Sequence, residues 1–181
     1  MATPLILVLG GTRSGKSRFS LDLIRGFAGA GPATVLVTAL RGDPEMEERI
    51  ALHQRHRPST WPTIDVGTDL AGAVRRAEAS HPILIEGLTL WLSALVGDDL
   101  ADPDPILVGP VSDALAAIEA RDGPVVVVSD EIGLGMVPMH PGSRVFRDLV
   151  GLVHQRFAAE ADEVKLVVAG LPLALKPTSG S

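Results

Sequence analysis

Leu5-Ile6-Leu7-Val8-Leu9-Gly10-Gly11-Thr12-Arg13-Ser14-Gly15-Lys16-Ser17 joins an unbroken aliphatic run to a glycine-rich turn closed by Lys-Ser. An aliphatic run without alternation reads as a strand covered on both faces. Gly10 to Ser17 then fits G-x-x-x-x-G-K-S, and the residues after it, with Phe19 and Leu23, have helical spacing. Glycines let backbone N–H groups turn inward around phosphate oxygens where side chains would block the approach, and a helix N-terminus adds partial positive charge. A plain glycine-rich turn has no use for the Lys and Ser that follow. Gly10, Gly11, Thr12, Arg13, Ser14, Gly15, Lys16 and Ser17 are therefore expected to hold the phosphates of a nucleotide. Lys16 would act catalytically at the β- and γ-phosphates, and Ser17 would ligate Mg²⁺. Arg13 and Arg18 raise the local positive potential.

Outward from this stretch, four more apolar runs recur, Thr34–Thr38, Ile83–Ile85, Val125–Val128 and Val164–Val168, with helix-compatible sequence between most of them. Strands of this kind belong to parallel sheets covered by helices, so the expected class is α/β, a P-loop NTPase-like (RecA-like) mostly parallel sheet with helices on both faces. Phe19, Leu23 and Phe27 form one expected core-facing stripe, and Leu88, Trp91, Leu92 and Leu95 another. Residues 144–161 form a further candidate helix. Asp102-Pro103-Asp104-Pro105 and Arg121-Asp122-Gly123-Pro124 read as turns. Without internal repeats or linkers, residues 1–176 are expected to form one domain, followed by a disordered tail at 177–181.

Composition narrows the function classes. Of 181 residues, 46% are hydrophobic and 21% charged, which argues for a packed fold rather than disorder. Sixteen Lys+Arg against 22 Asp+Glu give a net charge of −6, and only four Phe and two Trp, with no Tyr, are available for stacking, so nucleic-acid binding is disfavoured. The absence of Cys removes disulfides, thiolate metal sites and cysteine nucleophiles. No apolar run approaches the roughly 18 residues of a membrane span, and no secretory signal is visible, so a cytoplasmic location is expected.

A P-loop site also needs a carboxylate near the metal, usually at the end of a neighbouring strand. Glu86 follows one apolar run and Asp130-Glu131 another. Glu86 is the first choice for Mg²⁺ or for accepting a proton, and Glu131 the second, while a carboxylate capping the next helix is the structural alternative. Asp43-Pro44 can start a helix in which Met46, Ile50 and His53 share a face. His53 on such a helix is either a partly packed ring or a nucleophile, since neutral imidazole can attack phosphorus. Arg49, Arg55, His56 and Arg57 could hold phosphate groups nearby.

Ordered segments across nearly the whole chain resemble the bifunctional adenosylcobinamide kinase / adenosylcobinamide-phosphate guanylyltransferase family of cobalamin biosynthesis. They are residues 9–17, Asp43-Pro44-Glu45-Met46 leading to Arg49-Ile50-Ala51-Leu52-His53 and Arg57-Pro58, Leu88-Thr89-Leu90-Trp91-Leu92, and Asp130 to Pro138. The stretch from Phe146 through Gly170-Leu171-Pro172 to Lys176 continues the likeness. The resemblance implies phosphorylation of adenosylcobinamide by ATP or GTP, then transfer of GMP from GTP through a guanylylated histidine at the position of His53. Arg49, Arg57 and Glu131 join the expected nucleotide-binding set, and the resemblance also implies a corrinoid substrate and a homo-oligomer, a trimer. This chain departs from the family pattern at Asp130, His154 and Ala94, where Asn is frequent, and at Gly87, where Cys is. None of these departures falls on Lys16, Ser17 or His53 themselves.

Two other readings compete. One is a monofunctional small-molecule P-loop kinase with a structural His53. The other is a nucleotide switch of the GTPase type, which would read guanine through Asn-Lys-x-Asp; the chain contains no Asn.

Overall fold

The computed structural model describes residues 4–39, 57–97 and 102–177. Strands β1 (Leu5–Gly10), β2 (Thr34–Val37), β3 (Thr63–Asp65), β4 (Ile83–Glu86), β5 (Val125–Asp130), β6 (Glu163–Val168) and β7 (Leu171–Lys176) form one sheet in the order β3-β2-β4-β5-β1-β6-β7. All neighbours pair in parallel except β7, which runs antiparallel to β6. The helices are α1 (Lys16–Ala28), α2 (Leu70–Arg76), α3 (Leu88–Val96), α4 (Ser112–Glu119) and α5 (Pro141–Glu160).

The aliphatic strands are apolar on every residue because both faces are covered. Along β1, Leu5, Leu7 and Leu9 enter a cluster with Val74, Trp91, Ala117, Leu149 and Phe157, while Ile6 and Val8 enter a second cluster with Leu21 and Ile24. Helices α2 to α5 thus cover one face and α1 the other. Trp91 is fully buried, and its indole N–H donates to the Thr68 carbonyl at 3.0 Å, so its polar edge is not stranded in the core. Among the described residues no helix is long and apolar enough to cross a membrane.

Three local expectations change. The core face of α1 is Ser20, Leu21 and Ile24; Phe19 and Leu23 only flank it, and Phe27 is 39% exposed. Both sets repeat at helical spacing, and the way the turn at Gly15 aims the helix selects between them. Asp102 to Pro105 is not simply a turn: Asp104–Ile106 is already helical and runs through a π-helical segment, Leu107–Val111, into α4. Proline fits a first helical turn, where its missing N–H has no partner to lose. Strands β3 and β7 have no counterpart among the five runs. The first has three residues; the second carries Pro172, tolerated because β7 is an edge strand. The stripe on α3 is as expected, with Leu88, Trp91 and Leu92 fully buried. Residues 178–181, most of the expected tail, lie outside the described residues.

Candidate active site

Parallel strands bring their carboxyl ends to one edge, so Gly10, Thr38, Glu86 and Asp130 gather along the same side of the sheet. The register sets Gly10 opposite Asp130 on the adjoining strand, while Glu86 lies one strand further out, opposite Val128. Open α/β sheets bind ligands in the crevice outside this edge.

The loop between β1 and α1 is held in shape by its own glycines and by the β6–β7 turn. A Cβ on Gly10 would stand 2.5 Å from Ser14 Oγ and 2.8 Å from the Val167 carbonyl oxygen. Gly15 has φ +95°, and a Cβ there would meet Gly170 Cα at 3.0 Å. The Gly170 amide donates to the Ser14 carbonyl at 2.7 Å, so the hairpin turn at Ala169-Gly170 braces the loop. Arg13 also takes a left-handed conformation, φ 57°. These protein contacts by themselves constrain the shape of the loop. Gly170 belongs to the site's framework; its family-like segment was visible in the sequence, but no local pattern ties it to the phosphate loop.

Lys16 reaches back over the loop. Its ammonium donates to the Gly11 carbonyl at 3.2 Å and pairs with Asp130 at 2.5 Å. The Lys16 side chain is 13% exposed and that of Asp130 36%. Asp130 thus meets the one ammonium of the loop, at the place where a polyphosphate would bring its own negative charge. Ser17 follows at the second position of α1.

Glu86, at the end of β4, forms an ion pair with Arg57, and both side chains are largely buried, 17% and 7% exposed. Burial pushes the Arg57 pKa down from its ordinary value. Arg57 Nη1 is buried without a hydrogen-bond partner, an unused donor beside a carboxylate. The Thr38 hydroxyl, shared between the carbonyls of Glu86 (2.9 Å) and Gly87 (2.6 Å), ties the ends of β2 and β4 together.

Glu131 stays close to the loop through its backbone, its N–H donating to the Gly10 carbonyl at 3.0 Å. Its side chain turns elsewhere: Oε1 accepts from the Gly133 amide at 2.6 Å, and Oε2 lies 3.6 Å from His154 Nδ1. The structure therefore brings Lys16, Asp130 and Glu131 around the loop and pairs Glu86 with Arg57. Arg49 and His53, with the expected helix after Asp43-Pro44, lie outside the described residues.

Among the described residues no three His, Asp or Glu converge to hold a metal. A serine hydroxyl such as that of Ser17 and a strand-end carboxylate such as that of Glu86, here paired with Arg57, are oxygen donors of the kind that Mg²⁺ accepts, and Mg²⁺ carried in by a nucleotide needs only one or two of them besides phosphates and water.

A strand, a braced glycine loop, a helix opening on Lys-Ser, and carboxylates at the ends of the neighbouring strands define a P-loop NTPase-like nucleotide-binding fold, RecA-like in class. The flagellar accessory protein FlaH from Methanocaldococcus jannaschii has a similar fold, with TM-score 0.55, 16% identity, and 97% of this chain and 79% of that one covered. The chain belongs to the CobU family, cobinamide kinase / cobinamide phosphate guanyltransferase, whose model matches residues 6–175. It is 41% identical over 172 residues to the bifunctional adenosylcobalamin biosynthesis protein CobP of Pseudomonas aeruginosa, covering 94% of this chain and 96% of the relative. It is also 36% identical over 184 residues to CobU of Salmonella typhimurium, covering 95% and 99%.

Proposed function

We propose that this protein phosphorylates adenosylcobinamide with ATP or GTP and then transfers GMP from GTP to adenosylcobinamide phosphate through a guanylylated His53, giving adenosyl-GDP-cobinamide. The observation that carries the nucleotide half is the Lys16 ammonium folded over the Gly10–Ser17 loop and held at Asp130. Membership of the family supports the substrates.

In the kinase step the aminopropanol hydroxyl of the corrinoid attacks the γ-phosphorus, the bond from that phosphorus to the β,γ-bridging oxygen breaks, and the nucleoside diphosphate leaves. Loop amides and Lys16 hold the charge on the transferred group. Ser17 and Glu86 would hold Mg²⁺, which would supply charge neutralisation on the phosphates when it arrives with the nucleotide. Glu86 also stands as the candidate acceptor for the hydroxyl proton, and Arg57 offers its unused Nη1 to phosphate oxygens.

In the second step the neutral His53 imidazole attacks the α-phosphorus of GTP, the bond to the α,β-bridging oxygen breaks, and pyrophosphate leaves. A phosphate oxygen of the acceptor then attacks the same phosphorus, and the imidazole departs with its electron pair. Arg49, Arg57 and Glu131 complete the nucleotide-binding set. The working form is a homo-oligomer, a trimer, in the cytoplasm. The exposed apolar residues Leu171, Leu173 and Leu175 of the edge strand β7 support an association surface.

Incubation with GTP labelled at the α-phosphate, followed by peptide mapping, tests the reading. An acid-labile GMP adduct is expected on His53, and His53→Ala should lose adduct and guanylyl transfer while keeping kinase activity. An adduct of unchanged yield in His53→Ala would remove His53 from the mechanism.

A further inference from the structure

His154 is buried on α5, 6% exposed, and the proposed chemistry makes no use of it. Its ring lies in a chain of polar contacts that starts and ends at the two acidic residues beside the P-loop. The Asp130 amide donates to Thr89 Oγ1 at 3.1 Å; Thr89 Oγ1 lies 2.9 Å from Ser129 Oγ; Ser129 Oγ lies 2.7 Å from His154 Nε2; and His154 Nδ1 faces Glu131 Oε2 at 3.6 Å. Glu131 closes the path, since its other oxygen accepts from the Gly133 amide and its own amide donates to Gly10.

The direction of every proton in this chain follows from its two ends. The Asp130 N–H can only donate, so Thr89 accepts there; of the two acceptors within reach of its own hydroxyl proton, Ser129 Oγ at 2.9 Å is better placed than the Asp130 carbonyl at 3.4 Å. At the other end, a ring nitrogen facing a carboxylate must carry the proton, because a bare lone pair there would oppose the negative charge. That puts hydrogen on Nδ1. With the ring neutral, Nε2 becomes an acceptor, and Ser129 turns its hydroxyl proton toward it. Burial pushes the His154 pKa down, against upward pulls from Glu131 and Asp130, in keeping with a neutral ring.

We infer that His154, as its neutral Nδ1–H tautomer, is a positioning residue for Glu131, fixing that carboxylate on the Gly133 amide and with it the start of the loop after β5, whose Glu131 backbone N–H meets the P-loop at Gly10. The role rests on the nucleotide-site reading above, because Glu131 matters to catalysis only if the Gly10–Ser17 loop binds nucleotide. The effect is indirect: the imidazole touches no substrate, and the Glu131 side chain carries its influence.

Two measurements test it. Long-range ¹H–¹⁵N correlation of the imidazoles in nucleotide-free protein labelled at histidine should show His154 neutral with its proton on Nδ1. An Nε2–H tautomer would overturn the inference whatever the protein binds. The second compares variants by the affinity for GTP with Mg²⁺. The side-chain nitrogen of Asn superposes on Nδ1 and that of Gln on Nε2, so His154→Asn keeps the donor toward Glu131 and His154→Gln keeps only the contact to Ser129. Affinity should fall about tenfold in His154→Ala and His154→Gln and return to within about twofold in His154→Asn. Equal affinity in all three variants, or rescue by Gln and not Asn, overturns the inference; failure of the wild-type protein to bind GTP defeats the nucleotide-site reading instead.

Discussion

At the scale of single residues, the contact between Lys16 and Asp130 has the largest consequence. A triphosphate entering the loop must draw the ammonium away from a carboxylate 2.5 Å distant. The pair is partly exposed, so the competing attraction is about 0.2–1 kcal/mol, the range of solvated ion pairs. Asp130→Asn should therefore tighten Mg²⁺-free nucleotide binding about two- to fivefold by calorimetry. Weaker binding would show instead that Asp130 helps to retain the nucleotide. Lys16→Ala should slow both kinase and guanylyl transfer by about 10²–10³-fold in kcat, the usual effect of removing a donor aimed at developing charge. Steady-state rates on each half-reaction check this, and loss of only one would separate the two phosphate sites. The lysine and its loop were legible from spacing alone; the Asp130 contact was not, because Asp130 lies far along the chain and reaches Lys16 only through strand pairing.

At the scale of elements, the P-loop depends on a hairpin turn that belongs to another part of the chain. Gly15 is held at φ +95°, with Gly170 Cα 3.0 Å from where its Cβ would be. Gly15→Ala should cost about 1–3 kcal/mol through backbone strain and displacement of the β6–β7 turn, read from urea denaturation midpoints. A cost below about 0.5 kcal/mol would mean that the turn yields freely. Element type was readable where periodicity was strong: α3 buries the stripe its spacing gives. For α1 the element type was readable but its buried face was not, since the sequence offers two apolar faces, and β7 was not readable, since its alternating leucines and Pro172 at the second position do not look like a covered strand. In each case the deciding interaction came from outside the element.

At the scale of the molecule, the central strands are covered on both faces, but among the described residues β7 at the sheet edge is left exposed. Leu171, Leu173 and Leu175 are 73%, 58% and 53% exposed. Open apolar edges invite association, and a symmetric oligomer is the usual way to cover them. Leu173→Lys should shift the protein toward monomer in sedimentation experiments, since burying the new charge would oppose docking. Unchanged sedimentation would locate the association surface elsewhere.

The phosphate-binding loop, the aliphatic strands and the α/β class follow from the sequence by itself, because each depends on local stereochemistry or on a repeat within a few residues. The family segments were likewise visible as ordered runs. Pairing of Arg57 with Glu86, of Lys16 with Asp130, and the path from Asp130 through Thr89, Ser129 and His154 to Glu131 required the fold. These contacts join residues up to 114 positions apart less than a few side-chain lengths across the sheet edge, as between Lys16 and Asp130. Their distances are set by strand order, which no local pattern encodes.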